Sequence, residues 1–174
     1  MICHLPFYKD IHLNKSLSIM LLICTLAVPT LASAQVAVQA NPNHEQLLAS
    51  KDVHLAANKR LAYDFWREVL EAGHMELAEK FLTESYIQHN PDVQTGRAAF
   101  VKLFSQFSKP QPINPRVETP LVAIVAEGDL VVLSFVNKLP DPKDPKKTYT
   151  TTAFEMFRIE GGKIAEHWDA GTKH

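Results

Sequence analysis

Cysteine is almost missing from this 174-residue chain: there are two, Cys3 and Cys24, and both fall within the first 34 residues. Beyond residue 34 that excludes a disulfide framework and a thiol nucleophile. Glycine is scarce too, with six in the whole sequence and no run of them spaced as a phosphate-binding loop. No Gly-x-Ser-x-Gly elbow is present to expose a nucleophilic serine. Charge of one sign is lacking, since 18 Lys and Arg meet 19 Asp and Glu. Such a balance offers no basic surface for nucleic acid or an anionic membrane. The six histidines after residue 34 are His44, His54, His74, His89, His167 and His174. No two of them show the i, i+4 spacing of a helical zinc site, so neither a metal nor any other cofactor is expected.

The longest apolar run, residues 17–28, is shorter than the roughly 20 residues that a transmembrane helix needs. Lys9 and Lys15 precede it, and Ala32-Ser33-Ala34 follows as a small-x-small cleavage site. That is the anatomy of a secretory signal peptide over residues 1–34; the alternative is a buried core helix. A lipid anchor on Cys24 is disfavoured because Ile23 is bulky where that processing wants a small residue. Export to the periplasm or the medium is therefore expected, with no membrane attachment after cleavage. Removal of Lys9, Lys15 and Asp10 would leave a slightly acidic mature chain.

Residues 35–52 read as a flexible linker running into a helix start, and residues 53–174 as one α+β domain. Leu61, Phe65, Val69 and Leu70 recur at helical spacing with Trp66 alongside, which predicts a helix over residues 53–72 closed by Gly73. A short helix over 74–81 and a third over 97–107 follow, the latter carrying Phe100, Leu103, Phe104 and Phe107 on one face. Between them, residues 86–92 form an aromatic and polar segment that ends at the Asn90-Pro91 turn. Residues 117–126 and 130–139 flank Glu127-Gly128-Asp129 and predict an antiparallel hairpin, apolar on both faces as in a sheet covered on each side. Residues 140–147 alternate proline with charge and read as an exposed loop.

The last stretch carries the strongest chemical signal. Residues 150–159 and 164–169 read as strands joined by a turn at Gly161-Gly162. Alternation puts His167 and Asp169 on one face, with Cα atoms about 6.5 Å apart, and Trp168 on the other. Helices followed by strands predict helices packed on one face of an antiparallel sheet. The expected form is a cone-shaped, strongly curved sheet, with about three N-terminal helices over its concave face and a pocket between.

Several pieces together carry a family resemblance. They are Ala62-Tyr63-Asp64-Phe65-Trp66, the segment from Tyr86 through His89 and Asn90 to Pro91, the Glu127-Gly128-Asp129 turn, and Phe154-Glu155-Met156-Phe157-Arg158 leading to Glu166-His167-Trp168-Asp169. Over residues 54–170 the chain resembles the SnoaL-like, polyketide-cyclase-related group of the nuclear-transport-factor-two-like superfamily. The resemblance implies that Asp169 is an acid/base residue for aldol-type chemistry, with His167 two residues before it. It also implies polar groups in the cavity from His89 or Asn90. Tyr86, Trp66 and Phe154 are the aromatic residues expected against a bound molecule, with plain core packing as the alternative for the first two. Three functions stay open at this point. One is a cofactor-independent enzyme of the cyclase or isomerase type acting on a small hydrophobic carbonyl compound. The second is a non-catalytic binder of a small hydrophobic molecule, and the third is an interaction module that pairs as a homodimer.

Overall fold

Asp52 opens the main helix, its carboxylate accepting the backbone N–H groups of His54 and Leu55 at 2.8 and 3.2 Å. Helix α2 (Val53–Phe65) runs on into a wider π-helical turn, Trp66–Glu71, and stops before Gly73, whose φ of 72° suits a left-handed helix end. The π-helical turn lies inside the span predicted as one α-helix. In the computed structural model, which describes residues 35–173, the residues from Val36 onward form one compact unit. The expected signal peptide lies outside the described residues. Among the described residues, no helix is long and apolar enough to cross a membrane.

The remaining elements are α1 (His44–Leu48), a 3-10 turn at Met75–Leu77, α3 (Ala78–Phe81), β1 (Leu82–Gln88), α4 (Arg97–Phe104), β2 (Leu121–Glu127), β3 (Leu130–Asp141), β4 (Asp144–Glu160) and β5 (Lys163–Trp168). The strands make one sheet in the order β1-β5-β4-β3-β2. Only β1 and β5 run parallel; the other neighbours are antiparallel. The fold is thus α+β, with N-terminal helices on a mostly antiparallel five-stranded sheet.

Phe65 on α2 is the centre of the core. Its ring meets those of Phe81, Phe100 and Phe157, each at 5.9 Å, joining α3, α4 and β4 at one point. Along the helix-facing side of β4, Ile159 and Phe157 are buried, whereas Glu155, Ala153 and Thr151 are only partly so. The sheet face is therefore sealed by helices at one end and more accessible toward the other.

Three expectations change. The segment at Tyr86 is not merely a turn: residues 82–88 form the parallel edge strand β1, with Gln88 beside His167. The predicted loop over residues 140–147 is mostly strand, because β3 continues to Asp141 and β4 begins at Asp144 around a tight turn. Pro140 lacks an N–H, yet the hairpin register holds as far as the Pro140–Thr148 pair and shifts only just beyond it. Finally, among the described residues helices cover one sheet face only, and Val125 and Phe154 are 59% and 56% exposed.

The stretch before α2 is held to the domain. Asn41 N–H donates to the Leu121 carbonyl at 2.8 Å, and Leu48 is buried. The Tyr63 hydroxyl accepts the Val117 N–H at 2.9 Å and lies 2.8 Å from His44 Nδ1. With the ring neutral and its hydrogen on Nε2, the hydroxyl donates to Nδ1. Burial first, then the Arg116 charge, hold His44 below its ordinary value of 6.5. The folded ring takes a proton less readily than the unfolded one, so the stability from this contact is complete above the unfolded value and is lost as pH falls through the lower, folded one. Amide exchange at Asn41 and in α1, corrected for intrinsic rates, should accelerate on going from about pH 7 to about pH 5. A His44→Gln chain should lack that pH dependence.

Candidate functional site

β5 and the residue after it present the two groups singled out in the sequence. Between the pairs Arg158–Glu166 and Ile159–Ile164 the β4/β5 register shifts by one residue, and beyond that bulge His167 lies opposite Phe157. His167 is 7% exposed, and its ring stacks on Phe157 at 4.9 Å. Nδ1 lies 3.0 Å from Gln88 Oε1 on β1, and Nε2 lies 2.7 Å from Glu155 Oε2 on β4.

Asp169 is fixed from both sides. Asn90 Nδ2 donates to Oδ1 at 3.1 Å and to Oδ2 at 2.9 Å, and the Gly171 N–H donates to Oδ1 at 2.6 Å. A Cβ on Gly171 would come within 2.3 Å of Asn90 Nδ2 and 2.6 Å of Asp169 Oδ1, so a larger residue here would make these two side chains shift. Gln88 ties the other partners together: its Oε1 accepts the Asn90 N–H at 3.0 Å, and its Nε2 donates to the Tyr86 hydroxyl at 3.1 Å. Tyr86 is buried, and burial, then the charges of Asp169 and Glu155, push its phenol above the usual 10.0. It keeps its hydrogen at any ordinary pH.

Of the residues expected at the site, the structure brings together Asp169, His167, Asn90 and Tyr86. His89 and Phe154 lie elsewhere. His89 sits on the other sheet face, stacked on Trp168 at 5.0 Å with Nε2 2.8 Å from Glu166 Oε1. Glu166 also accepts from Arg158 Nε at 2.8 Å, and its hydrogen bonds to His89 and then Arg158 hold its carboxyl below the ordinary range. Phe154 shares that outer face, paired with Ser134. Trp66 stacks on Phe135 at 4.4 Å, and Phe135 pairs with Ala153 on the more accessible stretch of the inner face.

Two members of the network, Gln88 and Glu155, were not singled out in the sequence. A signal existed for each. Glu155 has the strand parity of Phe157 and Ile159, a carboxylate on an otherwise apolar face, and Gln88 has the parity of buried Tyr86. Glu155, His167 and Asp169 each point one ligand-type atom into a space where all three lie within 4.8 Å of one another. His167 Nε2 and Glu155 already meet at hydrogen-bond distance, so a shared proton accounts for that contact.

With the site described, its class is a polar acid/base cluster at the end of a helix-covered sheet. The chain belongs to the SnoaL-like domain family, whose model matches residues 63–167. Solved structures that it resembles include TsrD from Streptomyces laurentii, at 21% identity over 69% of this chain and 90% of that one, with a TM-score of 0.43. An LEH-like epoxide hydrolase from M. tuberculosis is 15% identical over 67% of this chain and 83% of that one, with a TM-score of 0.46. An NTF2-like protein from Anabaena variabilis is 17% identical over 72% and 97%, with a TM-score of 0.47. No curated protein matches the chain. The family assignment rests on the domain match alone.

Proposed function

We propose that this is an exported, cofactor-independent acid/base enzyme that acts on a small, mostly apolar carbonyl compound. The observation that carries the reading is the Asp169 carboxylate clamped by Asn90 beside the Glu155–His167 pair. Each carboxylate oxygen has two lone pairs, so Oδ2, with one N–H bond, retains a site for a substrate proton. Asp169 would remove a proton α to the carbonyl, and the enolate would close on a second carbonyl or be reprotonated elsewhere. Trp66, stacked over buried Phe135, and Ala153 supply apolar surface on the same sheet face. Lys9, Lys15, the apolar run over 17–28 and Ala32-Ser33-Ala34 support export.

Native mass spectrometry of the purified protein, before and after gentle denaturation, tests the reading. A small organic molecule released on denaturation is expected, and the protein should exchange the α-hydrogens of cyclohexanone in D₂O. Release without exchange would instead identify a carrier of a hydrophobic ligand. The absence of both release and exchange would overturn the reading. The exposed Val125 and Phe154 on the uncovered sheet face favour pairing of two copies, which the same spectrum reads as a dimer mass.

A further inference from the structure

We infer that Glu155 is the second catalytic carboxyl of this site, the proton donor opposite Asp169, and that His167 is a positioning residue behind it. The inference rests on the acid/base reading above and assigns its proton-donor role. It follows from which atoms can carry hydrogen.

The Asn90 backbone N–H can only donate, so the Gln88 atom 3.0 Å from it must be the amide oxygen. The same oxygen lies 3.0 Å from His167 Nδ1, so Nδ1 must carry a hydrogen. On the far side of the ring, Nε2 lies 2.7 Å from Glu155 Oε2. A bare ring nitrogen and a bare carboxylate oxygen would repel at that distance, so one further proton lies between them. Both ring nitrogens are then spent on protein partners, and one face of the buried ring is taken by Phe157. His167 has no N–H left to offer a substrate.

Glu155 does have capacity left. Its side chain is 19% exposed against 9% for His167, and its second oxygen has no hydrogen-bond partner among the described residues. Asp169 differs: every contact it makes is to an N–H donor, from Asn90 and Gly171, and none calls for a hydrogen of its own. Two carboxyl groups whose surroundings differ in this way divide the roles of acid and base. Tyr86 and Gln88 on β1, Glu155 on β4 and Asp169 after β5 are the polar groups that set this division.

The step balances without any other reagent. Asp169 takes the α-hydrogen as a proton, and the C–H electron pair becomes the enolate C=C as the carbonyl π pair moves to oxygen. That oxygen takes the proton shared by Glu155 and His167. On return, Asp169 gives its proton to carbon, and the enol O–H restores the proton to Glu155. Solvent deuterium enters while Asp169 is protonated.

The test uses the full chain with cyclohexanone in D₂O as probe. Glu155→Gln should lower kcat for α-hydrogen exchange by roughly 10²–10³-fold with KM changed by less than about threefold. Glu155→Asp, which keeps a carboxyl group, should recover to within about tenfold of the starting chain. Long-range ¹H–¹⁵N spectra should show hydrogen on Nδ1 alone of His167 in the unmodified protein, with the shared proton held by Glu155. Two results would overturn this inference alone. One is hydrogen on both ring nitrogens in the unmodified protein, which would leave Glu155 without a proton to give; the other is a fully active Glu155→Gln beside an inactive Asp169→Asn. No exchange by the unmodified protein would overturn both this inference and the acid/base reading.

Discussion

Asp169→Asn is expected to lower turnover by about 10²–10⁴-fold while the fold survives. The substitution is nearly isosteric, and the amide oxygen of Asn can still accept the Gly171 N–H. An amide cannot take up a substrate proton, which is the property the site would lose. The new NH₂ would face the Asn90 NH₂ that now donates to Asp169 at 2.9 Å, so the Asn90 side chain must turn over. That turn also gives up the exposed Asp92 N–H that Asn90 Oδ1 accepts at 3.0 Å, so the thermal midpoint should fall, but only slightly. Rates of α-hydrogen exchange with cyclohexanone, read beside circular dichroism, separate the two effects. Full turnover in Asp169→Asn would remove Asp169 as the base. Loss of both activity and structure would assign it a structural role instead.

The second large effect belongs to the core. Phe65→Ala should cost about 3–5 kcal/mol, from lost burial and from the cavity left behind. Phe65 is 1% exposed, and three rings on three different elements lean on it. No single neighbour can slide into the space without leaving its own helix or strand. With total stabilities of about 5–15 kcal/mol typical of such domains, the variant would be close to unfolding. Urea titration should show a lower midpoint at unchanged slope. A loss below about 1 kcal/mol would mean that the helices do not depend on this contact.

What the sequence could and could not tell about the site divides by range. The Gly161-Gly162 turn fixes the β4–β5 hairpin locally, so the shared face of His167 and Asp169 was legible from alternation alone. Gln88 and Glu155 were not, because their roles depend on pairings set by distant chain. β1 contributes only when it lies parallel to β5, an alignment that no local turn specifies. A shift of one residue in that pairing decides which of two neighbours faces the helices. Gln88 does, and His89 is thereby sent to the outer face with Glu166 and Trp168. The same logic separates Phe154 from Phe157. The helices were legible from their apolar spacing, but the π-helical turn at Trp66–Glu71 was not, since widening by one residue per turn leaves little trace in a hydrophobic pattern. Residues 140–147 misled because proline and charge mark loops more often than the tip of a long hairpin.

The parallel contact between β1 and β5 has a consequence for how the molecule comes into being. These are the first and last strands along the chain, yet they are neighbours in the sheet, and Gln88 meets His167 across their boundary. A nascent chain that ends before Lys163 would hold β1 and β4 apart with unpaired edges and would carry half of a site. The β2–β3–β4 meander can form from contacts between successive strands, so it can precede the rest. β1 must then wait for the final hairpin, closing a loop of some 80 residues, at an entropic cost that grows only slowly with length. The Gln88–His167 contact, which spans both strands, can therefore form only once the final hairpin is in place.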